Sequence, residues 1–167
     1  MHPLFHPSFI DFCAYFNGNQ DYFECHEVLE DYWKTIAPGN KAHPLVGYIQ
    51  MATGLYHWRR NNWEGASRIM RKAYEKFLSN PNHPFFDYID FRQLCNDCLK
   101  TIAAIENKQP FQPFSIKVTN TVLEERINEK IESLPVLSTK YLLHKHMLRD
   151  RSDILRKREE KRNEAGT

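Results

Sequence analysis

The 167-residue sequence has no apolar run that approaches the roughly 20 residues of a transmembrane helix. This absence argues against a membrane protein. The first residues, M-H-P-L-F-H-P, lack both the basic start and the apolar stretch of a secretory signal peptide. We therefore expect a cytoplasmic location, where the four cysteines would stay reduced.

Motifs that would identify a catalyst are also missing. The segment Cys95–Cys98 reads C-x-x-C, but a second C-x-x-C, as in zinc ribbons, is absent. The segment from His26 reads H-E-x-x-E, which differs from the H-E-x-x-H motif of zinc peptidases. No pair of E-x-x-H elements indicates a di-iron bundle. Motifs alone therefore identify no reaction.

A strong excess of charge of one sign is absent as well. The net charge of the chain is +2. The residues from Ser138 onward include nine Lys or Arg and five Asp or Glu, which gives them a net charge of +4. The residues before Ser138 therefore carry a net charge of −2. A nucleic-acid-binding domain usually carries a broad basic face. Nucleic acid is therefore a partner that we do not favour, although a basic group could contact phosphate: Arg59, Arg60, Arg68, Arg71 and Lys72.

The segment C-H-E-V-L-E-D-Y-W at 25–33 concentrates the chemically active side chains. In a helix, Tyr22, Cys25, Leu29, Trp33 and Ile36 would share an apolar face. His26 and Glu30 would lie one turn apart at its edge, where the carboxylate can orient the imidazole. We expect Glu27 to point toward solvent.

Hydrophobic periodicity predicts an all-α fold, a compact bundle of about five helices built from helical hairpins, with a C-terminal helical extension. The five helices are expected at about 8–16, 20–36, 44–60, 63–78 and 88–107, the last one burying Leu99. We expect Ser8, Asn19 and Asn61 to cap the first, second and fourth helices.

The helix at 44–60 is apolar nearly all round, which is typical of the centre of a bundle. The exception is a polar stripe formed by Gln50, Thr53, His57, Arg60 and Asn61. Gly47 and Gly54 fall on one side and predict a close approach of a neighbouring backbone.

Composition divides the chain into three parts. Residues 1–107 form the predicted core domain, 108–120 an extended linker with two prolines, and 121–167 a charged helical extension. The predicted helix at 138–162 has only a thin apolar stripe, which is typical of a helix that needs a partner. We expect it to bind a protein partner or to form a homodimer.

Three motifs together resemble a known family. They are H-x-x-x-E-x-x-W at 26–33, I-Q-M-A-T-G-L-Y-H at 49–57 and N-x-x-G-A at 62–66. They are similar to those of small bacterial and archaeal proteins catalogued as domain of unknown function 309, over roughly Phe12 to Phe77. The resemblance implies an all-helical fold and no assigned activity.

Two classes of function remain open. The first is a module that binds a partner or a small ligand in a polar pocket between the second and third helices, lined by His26, Glu30, Trp33, Gln50, His57, Arg60 and Asn61. The second is a metal-dependent, hydrolase-like enzyme in which His26, Glu30 and His57 hold a divalent metal ion and Glu27 is the candidate catalytic base. A structural His–Glu hydrogen-bonded pair is the simpler explanation of the motif.

Overall fold

The computed structural model describes residues 1–138 and 141–143, and their regular structure is helical. Between residues 1 and 138, six α-helices occur: α1 (Pro7–Ala14), α2 (Tyr22–Ile36), α3 (Pro44–Arg59), α4 (Trp63–Leu78), α5 (Phe91–Glu106) and α6 (Thr121–Ser133). Strand-like pairing in the same ranges is limited to an isolated bridge between Ile89 and Val118. The predicted all-α fold is therefore confirmed.

Met1–Val136 forms one compact unit, and a second unit begins at Leu137. In the second unit, residues 141–143 are helical, and Ser138 Oγ accepts a hydrogen bond from the Tyr141 N–H at 3.2 Å. The remainder of the predicted helix at 138–162 lies outside the described residues. None of the helices within the described ranges is long and apolar enough to cross a membrane.

Four His-Pro steps begin helices in this fold. In each, the histidine Nδ1 accepts a hydrogen bond from the backbone N–H two residues on, and proline occupies the first turn: His2-Pro3, His6-Pro7, His43-Pro44 and His83-Pro84. Proline suits this place because it has no N–H to satisfy and its φ is already helical. The predicted cap Ser8 is therefore wrong, since His6 caps α1.

Two other predicted caps are displaced by one or two residues. Asp21, not Asn19, caps α2 by accepting from the Glu24 N–H, because five residues of π-helix, Tyr15–Asn19, extend α1 beyond its predicted end. Asn62, not Asn61, caps α4 by accepting from the Gly65 N–H. Asn61 instead takes a left-handed conformation with φ 61°.

The centre of the fold is α3, as predicted. It packs on α4 and on α2, and it buries ten of its residues. A Cβ at Gly47 would lie 2.8 Å from Phe77 Cε1, and one at Gly54 would lie 3.0 Å from Met70 Cε. Both glycines therefore permit the close approach of α4 that the sequence predicts.

Tyr48 of α3 organises an aromatic cluster in the core. Its ring lies 5.2–5.6 Å from four phenylalanine rings: Phe9, Phe12, Phe77 and Phe86. Its hydroxyl donates to the backbone oxygen of Phe85 at 2.8 Å. This single side chain connects α1 and α4 with the 3-10 turn Pro84–Phe86 that precedes α5.

Two apolar residues lie outside the faces predicted for them. The fifth helix begins at Phe91, and Leu99 is 45% exposed although it was expected in the core. Ile36, at the last turn of α2, is 44% exposed. The buried face of α5 is formed instead by Leu94, Cys95, Cys98, Thr101, Ile102 and Ile105.

Residues 108–136 pack against the first helices. Asn17 Nδ2 donates to the Ile116 oxygen at 3.0 Å, and Asn17 Oδ1 accepts from the Ile116 N–H at 2.8 Å. The helix α6 lies against α1 and buries Leu123 and Ile127. The connector and α6 thus cover a face of α1.

We expect the substitution Gly54→Leu to lower the free energy of unfolding by more than the roughly 1–3 kcal/mol usual for overpacking. The added side chain would meet the backbone nitrogen of Met70, 3.4 Å from the Cβ position, as well as the Met70 side chain. Urea unfolding measures the change. Ala103→Leu on the exposed side of α5 is the control. Equal stability of the two variants would contradict the central role of α3.

A chain ending at Asn107 tests the predicted domain boundary. We expect it to unfold cooperatively, but at a lower temperature than a chain ending at Val136. The shorter chain loses the burial of Ile116, Leu123 and Ile127, each contributing about 1.5–3 kcal/mol at full burial. Calorimetry of both chains gives the difference. A chain 1–107 without a cooperative transition would show that the connector and α6 belong to the folding unit.

Candidate functional site

The ionisable side chains of α2 form a continuous row. His26 Nε2 lies 3.3 Å from Glu30 Oε2, as the one-turn spacing predicts. His26 Nδ1 lies 3.4 Å from Glu27 Oε1, so Glu27 turns toward the imidazole although its side chain is 44% exposed. Both ring nitrogens therefore face a carboxylate.

Lys34 extends this row by one further turn. Its Nζ lies 3.0 Å from Glu30 Oε1, and the hydrogen bond with this carboxylate raises the pKa of Lys34. Glu30 thus contacts a histidine on one side and an ammonium group on the other. We call His26, Glu27, Glu30 and Lys34 the α2 row.

Trp33 has a structural contact. Its side chain is half-buried against the core, and its Nε1–H donates to the Asn40 backbone oxygen at 2.9 Å. This hydrogen bond ties the end of α2 to the turn that follows it. The indole N–H is therefore already satisfied by the protein itself.

Contacts around α3 show which way its polar stripe faces. Gly47 and Gly54 mark the side toward α4. Tyr56, whose ring lies 6.3 Å from that of Phe23, marks the side toward α2. At 100° per residue, Gln50, Thr53 and His57 fall between these sides, on the outward strip of α3 between α2 and α4. The polar pocket predicted between α2 and α3 therefore corresponds to a strip bounded by both α2 and α4.

Gln50 holds an unusual position on this strip. Its Oε1 is buried and has no hydrogen-bond partner among the described residues. The helices α2 and α3 run antiparallel, with Phe23 beside Tyr56 and Tyr22 beside Arg59. Counting along both helices from these contacts places Gln50 level with Glu30 along the helix axes. A buried acceptor without a partner costs about 1–3 kcal/mol. Among the predicted pocket residues, Gln50 is thus the one at which a hydrogen bond from a bound N–H donor would add most to the binding free energy.

The other predicted pocket residues lie at the end of α3. His57 Nδ1 lies 3.2 Å from Asn62 Nδ2, and the Arg60 guanidinium lies 5.4 Å from the centre of the Tyr56 ring. Asn61 donates its backbone N–H to the Trp58 oxygen at 2.9 Å. His57 is level with Phe23, about one helical turn from His26 along the axis.

Of the predicted metal ligands His26, Glu30 and His57, the structure brings His26 and Glu30 together. Over 1–138 and 141–143, no group of three or more His, Cys, Asp or Glu side chains is arranged to hold a metal ion. A zinc site takes three or four such ligands. Metal binding by His26, Glu30 and His57, with Glu27 as base, stays a prediction without geometric support.

Arg59 has a role that the sequence did not reveal. It donates to the Gln20 backbone oxygen at 2.9 Å, and its guanidinium lies 4.7 Å from the centre of the Tyr22 ring and 5.5 Å from that of Phe111. Burial lowers its pKa, opposed by nearby Tyr22 and Asp21. Arg71 pairs with Glu106. With Arg60, which lies over the Tyr56 ring, three of the five cations considered for phosphate contact are thus engaged within the fold.

The four cysteines are free thiols and are buried. Burial raises the pKa of both Cys95 and Cys98, which disfavours the reactive thiolate. Cys98 lies against Met51 Sδ at 3.8 Å. The C-x-x-C segment therefore serves as core packing.

Comparison with known proteins supports the resemblance seen in the sequence. The profile of "Domain of unknown function (DUF309)" matches residues 9–69. The uncharacterized protein YpuF of Bacillus subtilis (strain 168) is 34% identical over 164 residues, which cover 93% of this chain and 94% of that protein. No solved structure matches. The matched profile contains the α2 row and Gln50, but not α5 or α6.

A double-mutant cycle with His26→Gln and Glu30→Gln measures the coupling within the α2 row. The two side chains are 35% and 34% exposed, so we expect a coupling of about 0.3–0.5 kcal/mol. Urea unfolding of the four proteins gives the coupling. Zero coupling would contradict the pairing.

Proposed function

The chain belongs to the family of domain of unknown function 309, and we propose that it is a binding module for a small polar molecule. The ligand would lie on the outward strip of α3, with the α2 row at one edge. The unsatisfied, buried Oε1 of Gln50 carries this proposal. A ligand that donates a hydrogen bond there would remove the cost of that buried acceptor.

The charges at the edge of the strip indicate the ligand class. The α2 row contains two carboxylates, Glu27 and Glu30, against one ammonium, Lys34. Leaving His26 aside, the row is acidic by one charge. A molecule that carries an amine or amide N–H would complement both the row and Gln50. The proposed ligand is therefore an N–H donor, neutral or cationic, rather than an anion.

The partial exposure of the strip leaves it open to a small molecule. Gln50, Thr53 and His57 are all partly exposed, whereas the opposite side of α3, with Tyr48, Met51 and Leu55, is fully buried. Thr53 Oγ1 already donates to the Ile49 oxygen at 2.9 Å, which leaves the hydroxyl as an acceptor. A donor-rich ligand would thus find acceptors on two successive turns of α3.

Replacing Gln50 by Met separates binding from stability. Methionine keeps the length and volume of the side chain but removes the buried acceptor. We expect Gln50→Met to be as stable as the natural chain or more stable, and to lose binding of benzylamine and benzamide, the two probes. NMR chemical shifts, including those of the Gln50 side-chain amide, report binding, and urea unfolding reports stability.

Tyr48→Phe is the matched control for this substitution. It also removes a buried polar atom from α3, but one that donates to the Phe85 oxygen. We expect Tyr48→Phe to lose stability and to keep probe binding. A Gln50→Met protein that is clearly destabilised and still binds both probes would contradict the proposed role of Gln50. If the natural chain binds neither probe, the proposed ligand class is wrong.

The metal-dependent alternative has its own test. Elemental analysis of protein purified without chelator would show a stoichiometric divalent metal if His26, Glu30 and His57 hold one. Loss of that metal in His26→Gln would assign the site. The proposed binding module requires no metal in this experiment.

A further inference from the structure

Two of the histidine caps contact each other across the fold. His43 begins α3, and His83 begins the 3-10 turn Pro84–Phe86. Their rings lie 5.1 Å apart and nearly perpendicular. Both also contact the Phe85 ring, at 5.0 Å and 5.7 Å. The loop before α3 and the loop after α4 therefore meet through this pair.

Backbone contacts hold the same two loops together. Asn80 Nδ2 donates to the Ala42 oxygen at 3.1 Å and to the Lys76 oxygen at 2.9 Å. The Phe85 oxygen, next to His83, accepts from the Tyr48 hydroxyl. The histidine pair thus lies above the aromatic cluster that surrounds Tyr48.

Both histidines must be neutral to act as caps. His43 Nδ1 accepts from the Leu45 N–H at 3.0 Å, and His83 Nδ1 accepts from the Phe85 N–H at 3.2 Å. A protonated imidazole carries hydrogen on both nitrogens and cannot accept. An imidazolium at the beginning of α3 would also meet the positive end of the helix dipole.

We propose that His43 and His83 form a pH-sensitive latch between the loop before α3 and the loop after α4. It is closed while both imidazoles are neutral. It opens when they take up protons, because the two cap hydrogen bonds are lost and two cations face each other at ring-contact distance.

Burial favours the closed, neutral state at neutral pH. Burial, together with the neighbouring His83, lowers the pKa of His43 to about 4. Burial also lowers the pKa of His83, although Asp87 opposes this. The charged or ionisable groups near the latch are Lys41 in the first loop, Lys76 at the end of α4, Asp87 after the 3-10 turn, and His2, which lies 2.9 Å from Asp87.

The direction of the pH effect follows from these shifts. Folding holds each imidazole in its neutral form, whereas the unfolded chain binds protons at the ordinary histidine pKa of about 6.5. The two neutral caps therefore contribute fully to the free energy of unfolding above pH 6.5. This contribution is lost as the pH falls through the lower pKa values that His43 and His83 have in the folded state. Acidification toward pH 5 should weaken the fold at these two loops.

NMR titration of the full chain from pH 8 to pH 4 tests the latch without any substitution. We expect Nδ1 of His43 to remain unprotonated well below pH 6.5, and Nδ1 of His83 to take up its proton below the ordinary histidine pKa. When they take up protons, the amide signals of Leu45 and Phe85 should move with them. Protonation of both rings near pH 6.5, with those two amides unchanged, would overturn the proposal.

Asparagine variants test the effect on stability. Asn is a strong N-cap that does not titrate in this range, so His43→Asn with His83→Asn should keep the caps and remove the pH dependence. Urea unfolding measures the folding equilibrium constant at pH 7 and at pH 5. For the natural chain, this constant should fall on the order of tenfold from pH 7 to pH 5. For the double variant, it should fall much less. If the folding equilibrium constant of the double variant falls as much as that of the natural chain, the proposed latch is wrong. If the double variant does not fold, the NMR titration of the natural chain is the test.

Discussion

The burial of α3 is the constraint on which the rest of this structure depends. A helix that is apolar nearly all round must be covered on most sides to be stable in water. Gly47 and Gly54 admit α4 on one side, and Tyr56 contacts Phe23 of α2 on another. Tyr48 reaches α1, α4 and the 3-10 turn before α5. The positions of the neighbouring helices follow from these contacts.

The same constraint determines where polar chemistry can occur. On α3, the outward strip with Gln50, Thr53 and His57 is partly exposed, whereas Tyr48, Met51 and Leu55 on the opposite side are fully buried. Along this strip, Gln50 holds a buried acceptor without a partner within the described part of the chain. Natural proteins tolerate such a cost at sites of function, where a ligand repays it. The proposed role of Gln50 thus sets ligand binding against stability at one side chain.

Sequence periodicity predicted the helices and the central place of α3, because these depend on the average polarity of whole faces. It also predicted the His26–Glu30 contact, which follows from the one-turn spacing alone. It missed the histidine caps, although each lies at a His-Pro step, because His is not among the residue types that usually cap helices. The exposure of Leu99 and the Asn17–Ile116 contact depend on how distant segments pack, and the unpaired Gln50 oxygen depends on what surrounds it.

Native-state hydrogen exchange tests the central place of α3 most directly. Amides that open only when the whole protein unfolds report its global stability. The account predicts that Met51 and Leu55, fully buried in α3, exchange with the free energy of global unfolding, whereas amides of α6 exchange through smaller openings. Exchange of Met51 and Leu55 that is faster than that of α6 would contradict the account, because the helix at the centre would then open before the one at the edge.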